Sequence, residues 1–389
     1  MNGLSWLTTE PRLNERSLSN VRLMLKQVGI SAFPLSKGRD TGRGLERVIA
    51  ELAAGLDALR QPYALYERGI IRNEVVAVLH AGKFLWDLRG RHQDVWFAVY
   101  PVAGIFPILA GKRPVITGVY DLIPFFVSGF DNSLKYFIKR RCIEFVCRRS
   151  VGLIVPFAST AEQIQEMFGV GKDRIRVIPL GIDHKRFWFD ASIQKRRSRI
   201  GFLGEAKRAK GLDTAILAFA EVAKQNRDAF LTIASGGNEI GQMKELARKA
   251  IPRGRYEFVG FVPEDGMRQF YSELDLFLFP SRYGFGMSAV EAMACGTPAI
   301  AGRTLDSTDF FTHELSLVDP NSPSELSQRI LLLLEDRQRY EELRQWSLTK
   351  VQSLSWTAMA EKYVEFWMEI QERYMSKRPP FVDLSRSLA

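Results

Sequence analysis

Residues 280–300, PSRYGFGMSAVEAMACGTPAI, concentrate the groups able to do chemistry. An apolar strand over 274–279 runs into Pro280-Ser281, and a glycine turn carries Gly284 and Gly286. A short helix is expected from Ser288 to Gly296, and Pro298 starts the next strand. Strand, glycine turn and helix start together make an anion site. First-turn amides such as those of Met287 and Ser288 lack intrahelical partners, the helix dipole is positive there, and Gly286 lets an anion come close. Glu291 falls in that first turn, where a carboxylate repels an anion. Either it reaches past the anion to a sugar hydroxyl, or Ser288-x-x-Glu291 is a capping box. The local pattern leaves both open.

Other loops carry polar groups after strand-like runs. FLGEAKRAKGLD (202–213) ends in Lys210-Gly211, with Lys207 and Arg208 nearby. A lysine on such a loop can offset anionic charge or simply be solvated. VYDLIP (119–124) places Tyr120 and Asp121 behind an apolar strand, where the aspartate is either a site residue or a loop cap. Gly42-Arg43-Gly44 precedes a helical stretch and permits close backbone approach to a phosphate or substrate. Val259, Gly260, Phe261 and Val262 end another strand and offer main-chain groups.

These loops need elements to position them. Strand-like and helix-like segments alternate throughout, which predicts α/β layers with parallel sheets. Strands are expected in VRLMLKQVGISAF, EVVAVLH, DVWFAVY, RPVITGVY, GLIVPF, RIGFLG, AFLTIAS and YEFVG. STAEQIQEMFG reads as a helix capped by Ser159 and closed by Gly169. SIQKRRSR (192–199) reads as a linker, and WTAMAEKYVEFWMEIQERYMS as a long helix. The expected division is a first domain over 1–190, a second over 191–355, and a helix with tail over 356–389. In open α/β sheets ligands sit beyond the carboxyl ends of strands, so these loops would line one cleft.

Composition narrows the classes. At 389 residues with 46% hydrophobic content, the chain suits two folded domains and excludes wholesale disorder. No apolar run approaches the ~20 residues of a bilayer span, and the first residues read as a polar lead without a signal core. Cys142, Cys147 and Cys295 make no disulfide framework, which fits a reduced cytoplasmic setting. Neither Cys142-x4-Cys147 nor His80, His92, His184 and His313 has metal-ligand spacing, so no metal is expected. The net charge of +10 calls for an anionic partner. Part of it lies in LKYFIKRRCIEFVCRR (134–149), a helix whose expected stripe is Leu134, Ile138, Cys142, Phe145 and Val146. Lys139, Arg140, Arg141 and Arg148 lie off that stripe, so the helix either packs with a solvated basic face or lies on an acidic bilayer. No nucleic-acid motif or base-stacking pattern is present.

The motifs GFG, EAMACGTP and FPS, in that neighbourhood, resemble the donor-site signature of the retaining GT-B glycosyltransferases of family four. FLGEAKRAKGLD, RVIPLGIDHKRF, FVGFVPEDGMRQFYSELDLFLFPS and VYDLIP resemble further family segments, so the likeness runs along most of the chain. It implies two Rossmann-like domains facing a central cleft, with the C-terminal helix crossing back onto the first. It implies transfer of a sugar from a nucleotide diphosphate donor to an acceptor hydroxyl on a glycan or glycolipid, with retention and without metal or cofactor. Lys210 would then stabilise charge on the leaving phosphate. Glu291 would bind the ribose diol, and residues 259–262 the base. Gly286, Met287 and Ser288 would complete the phosphate cradle, with Lys207 and Arg208 as auxiliary cations. Asp121 and Tyr120 would face the acceptor side with Gly42, Arg43 and Gly44. A peripheral position on the inner face of an acidic membrane would suit a lipid-linked acceptor. There are departures. The family's first glutamate is missing, its position either falling on Tyr283 or deleted, since Arg282-Tyr283 runs straight into Gly284; Tyr120 replaces a common histidine and Leu180 an asparagine. The first of these keeps open a non-catalytic sugar-nucleotide-binding partner; an epimerase or phosphorylase on the same fold is a separate alternative, although the pyridoxal-binding lysine and greater length that phosphorylases often need are not evident.

Overall fold

A computed structural model describes residues 25–32, 43–67, 74–126, 134–193, 198–284 and 286–376, with the backbone alone at 43–44, 74–80 and 134–135. Short runs rich in Val, Ile, Leu and Phe form the strands of two sheets. The first sheet comprises Val28–Ser31 (β1), Tyr63–Tyr66 (β2), Val95–Ala98 (β3), Val115–Gly118 (β4), Gly152–Val155 (β5) and Ile175–Val177 (β6). The second comprises Arg199–Glu205 (β7), Phe230–Gly236 (β8), Tyr256–Phe258 (β9), Leu276–Phe279 (β10), Ala299–Gly302 (β11) and Leu317–Val318 (β12). Of these, β1, β3, β4, β5, β10 and β11 are buried throughout, as in parallel sheets covered on both faces. Their orders are β2-β1-β3-β4-β5-β6 and β12-β11-β10-β7-β8-β9, with every neighbouring pair parallel. Strand order reverses beside β1 in one sheet and beside β7 in the other. At such a reversal successive helices leave to opposite faces, and a crevice opens beyond the strand ends.

Helix Trp356–Ser376 returns to the first sheet and packs beside helix Arg43–Ala58. Its Tyr363 and Trp367 are fully buried, their rings 5.4 and 5.1 Å from that of Phe97 on β3. Burying an aromatic of this size stabilises by roughly 1.5–3 kcal/mol, which ties the end of the chain to the first domain. The architecture is the two-domain α/β arrangement expected from the sequence.

Several local expectations are corrected. EVVAVLH is not a strand but opens helix Glu74–Arg89. The pattern continues into Phe84 and Leu88, four apart, which bury against Trp96, Phe106 and Val115; a short β-branched run alone does not separate helix from strand. The strands the sequence hid are β2, whose residues are only half-buried, and the two-residue β12. The signature helix runs Met287–Ala294, with left-handed Gly286 as N-cap and no side-chain cap. The Ser288–Glu291 capping box is therefore not formed. Helix Ala158–Phe168 begins before Ser159 and takes Phe157 as N-cap, although Gly169 does close it in the left-handed conformation. On helix Leu134–Arg149 the buried side is Ile143 and Cys147, which face Val119, Leu153 and Val155, with Val146 buried against Gly104. Ile138, expected on the buried stripe, is 51% exposed beside Phe137 at 59%.

Candidate active-site cleft

The loops after β7 and β10 meet at the reversal in the second sheet. The first holds a short 3-10 turn, Arg208–Lys210, ended by left-handed Gly211. A Cβ on Gly211 would stand 1.9 Å from the Pro280 carbonyl oxygen, so the close packing of the two loops requires glycine there. The Arg282 amide donates to the Ala209 carbonyl at 3.0 Å. The Arg282 guanidinium donates to both oxygens of Asp213, at 2.9 and 3.1 Å, and to Asn321 at 2.7 Å. Thus stitched, the loops present Lys210 Nζ to the Tyr283 ring, 4.3 Å from its centroid, with Phe279 behind at 6.0 Å. Burial pushes the Lys210 ammonium below its ordinary pKa, opposed by Asp121 and Glu205 and abetted by Lys207. Such a desolvated cation gains strongly from an incoming anion. Gly286 holds the next helix start against Phe279, whose ring would meet a Cβ at 2.5 Å. The amides of Met287 and Ser288 precede the first intrahelical acceptor and open the same helix.

The auxiliary cations are less available. Lys207 pairs with Glu205 at 3.0 Å. Arg208 is largely exposed, 3.4 Å from Asp213, and its amide donates to Glu239. The 259–262 stretch follows β9 as expected: Val259 and Phe261 are exposed, and Gly260 is left-handed.

Glu291 is 3% exposed. One of its oxygens accepts from Arg47 Nη1 of helix Arg43–Ala58, and the other from the Tyr271 hydroxyl at 2.9 Å. Burial raises its pKa, and Arg47 and Tyr271 pull it back. From the first domain, Asp121 approaches Lys210. Its Oδ1 accepts from the Ile123 amide at 3.2 Å, so it does cap its loop. Desolvation nevertheless raises its pKa, opposed by Lys139, that hydrogen bond and Lys210. Tyr120 turns to the C-terminal helix, its hydroxyl 3.4 Å from that of Tyr363, and desolvation pushes its phenol to about 12. Gly42 lies outside the described residues; Arg43 and Gly44 open helix Arg43–Ala58. Among the described residues no three His, Cys, Asp or Glu side chains cluster as metal ligands.

Three residues escaped the sequence reading. They are Arg47, Tyr271 and Arg282. Nothing local marks any of them, because each acts on a residue from a distant segment.

A second contact spans the cleft. The Ser159 amide, at the start of helix Ala158–Phe168, donates to Asp309 at 2.8 Å, and the Thr160 hydroxyl donates to Asp306 at 3.2 Å. A carboxylate from the second domain thus caps a helix of the first, where the dipole favours it.

The Glycosyltransferase Family 4 model matches residues 42–186, and the Glycosyl transferases group 1 model matches residues 184–347. Among curated relatives, a mannosylfructose-phosphate synthase of Agrobacterium fabrum is 30% identical over 244 residues, covering 56% of this chain and 53% of that protein. A 2-deoxystreptamine glucosyltransferase of Streptomyces kanamyceticus is 30% identical over 204 residues, 49% of this chain and 52% of that protein. The chain spans about half the length of the curated relatives it matches. Among solved structures, a sucrose-phosphate synthase of Thermosynechococcus elongatus superposes with TM-score 0.75 at 18% identity, over 89% of this chain and 99% of that one. Anabaena HepE, solved with UDP and glucose, superposes with TM-score 0.69 at 16% identity, over 88% and 99%. These two share the fold.

The Asp306 carboxyl sets a pH dependence. Burial raises it to about 6, with Asp121 and Asp309 adding to the effect and Thr160 opposing it. Between its ordinary value near 3.8 and about 6, the folded chain holds a proton that the unfolded chain releases. Stability from this group therefore falls as pH rises through that window. Asp306→Asn keeps the acceptor for Thr160 and should stabilise by on the order of 1–3 kcal/mol at pH 7.5. The gain should vanish below about pH 4. Melting curves at both pH values check this; equal shifts at both would contradict it.

Proposed function

We propose a reaction from one premise: the chain belongs to the family-four-like GT-B glycosyltransferases, whose two domain models it matches along 42–347. The reaction is transfer of a sugar from a nucleotide diphosphate donor to an acceptor hydroxyl. The observation that carries it is the desolvated Lys210 at the β7/β10 crevice, beside the helix start at Met287–Ser288. The diphosphate lies against Lys210 Nζ and the two amides, the ribose diol on Glu291, and the base along 259–262. HepE has been solved with UDP-glucose, which makes a uridine diphosphate sugar the first donor to try.

As the bond from the sugar C1 to the phosphate oxygen breaks, negative charge grows on the leaving phosphate, and Lys210 with the helix amides stabilises it. No metal is needed for that neutralisation. The acceptor oxygen attacks C1 on the same face, and its proton passes to the leaving phosphate, so the anomeric configuration is retained. Asp121 orients the acceptor from the first domain. Tyr283 lines the sugar pocket in place of a carboxylate; its ring, packed on Lys210, also keeps water from that cation. The donor-sugar hydroxyl that a carboxylate would hold is therefore read less strictly.

Exposed side chains favour an acceptor at a membrane. Phe126, Phe137 and Ile138 are all more than half exposed, and Lys139 and Arg141 stand beside them. Arg140 is not part of that face, because its Nε donates to the Pro124 carbonyl. Lys139 also acts on Asp121, so the basic end of this helix borders the acceptor side of the cleft. No described helix is long and apolar enough to cross a membrane; this is a surface contact.

Lys210→Ala should lower turnover at saturating donor by about 100-fold or more with the melting curve unchanged. Unchanged turnover would refute the transferase role given to this lysine, and no turnover by wild-type protein with any donor would favour a binding partner. Replacing Lys139 and Arg141 by Gln should weaken co-sedimentation with acidic vesicles by about tenfold, each cation contributing up to about 1 kcal/mol. Wild-type protein that ignores acidic vesicles at low salt would eliminate the membrane contact.

A further inference from the structure

The carboxylate assigned to the ribose is already taken. Arg47 stands on helix Arg43–Ala58 of the first domain, and Glu291 on helix Met287–Ala294 of the second. The Arg47 guanidinium donates to one oxygen of Glu291 and lies 5.5 Å from the centre of the Phe187 ring. The other oxygen accepts from Tyr271, which is itself fully buried. Glu291 therefore has no wet face from which a nucleotide could approach. A diol must donate to that carboxylate, and Arg47 covers it.

We propose that Arg47 is an interdomain latch: it occupies the ribose-binding carboxylate in the donor-free chain, and nucleotide binding requires its release. The inference rests on the reading that Glu291 binds ribose. The contact looks built to be given up. Arg47 Nε and Nη2 are sealed from solvent without hydrogen-bond partners, and the nearest second carboxylate, Glu51, is 3.9 Å from Nε. An arginine seated for stability alone would normally have these donors satisfied. Because the pair joins helices of different domains, releasing it frees the cleft to open. Donor binding and cleft opening are then linked: the latched state excludes the nucleotide, and apparent affinity is reduced by the fraction of molecules that are unlatched.

The test is calorimetric titration with UDP, GDP and ADP at pH 8, on wild-type protein, on Arg47→Ala, Arg47→Gln and Glu291→Gln, and on Arg47→Ala combined with Glu291→Gln. Small-angle scattering and melting curves of the nucleotide-free forms accompany it. For the nucleotide that binds wild type best, Arg47→Ala should bind about tenfold tighter, as expected if about nine molecules in ten are latched. It should do so while melting lower and scattering as a more open particle without nucleotide. A merely structural arginine would not raise affinity when removed. Arg47→Gln, which loses the charge but retains some bulk, should also tighten binding and serves if the alanine variant does not fold. A folded Arg47 variant that binds as wild type does, or more weakly, overturns the latch; weaker binding would mean that Arg47 touches the nucleotide. If Arg47→Ala combined with Glu291→Gln binds as well as Arg47→Ala alone, or if wild type binds none of the three, the ribose assignment fails and the latch with it. If Glu291→Gln weakens binding but no Arg47 variant tightens it, the latch alone fails.

Discussion

All strands of both sheets run parallel, so every loop that follows a strand emerges at the same edge of its sheet. Where the order reverses between β7 and β10, two such loops leave a crevice that no helix fills. The chain stitches those loops together through Ala209 and Arg282, and glycine at 211 lets the Pro280 backbone seat against them. Position and chemistry then coincide. The stitched loops carry Lys210 and Tyr283, and the next helix begins at Gly286 with its unpaired amides. The first sheet obeys the same rule, and the loop after β4 delivers Asp121 toward Lys210.

Electrostatics make that cleft receptive to an anion. Lys210 is desolvated and leans on an aromatic face, a contact worth about 2 kcal/mol or more in such a setting, and a charge-assisted hydrogen bond to phosphate would add to it. The opposing carboxyl of Asp121 is itself raised by desolvation and drawn back by Lys139 and Lys210. Among the carboxylate contacts between the domains are Glu291 with Arg47 and Asp309 with the first turn of helix Ala158–Phe168. Both place an acid from the second domain on a positive feature of the first, so the cleft is held by groups that also border it.

Much of this was legible in the sequence because parallel α/β folds write their elements locally. Apolar runs gave most strands, and the glycine turn at 284–286 marked the helix start. Lys210-Gly211 could be singled out because it ends a polar loop after a strand-like run and lies in a segment that resembles the family's. What stayed hidden is non-local. The half-buried β2 has no apolar run to announce it. EVVAVLH has the β-branched composition of a strand, yet Phe84 and Leu88 further on commit it to a helix. The burial face of helix Leu134–Arg149 depends on where it meets Val119 and Leu153, so Ile138 could not be recognised as exposed. Arg47 and Glu291 lie far apart in the chain and meet only when both domains are in place.

The central claim is that the β7/β10 crevice holds a nucleoside diphosphate, and a crystal structure of the protein with UDP tests it most directly. The diphosphate oxygens should lie within hydrogen-bonding distance of Lys210 Nζ and the Met287 and Ser288 amides. The ribose hydroxyls should lie on Glu291, and Tyr283 should face the end of the diphosphate where the sugar departs. UDP bound at the edge of the first sheet, or in the crevice with its phosphates turned away from Lys210, would contradict the claim.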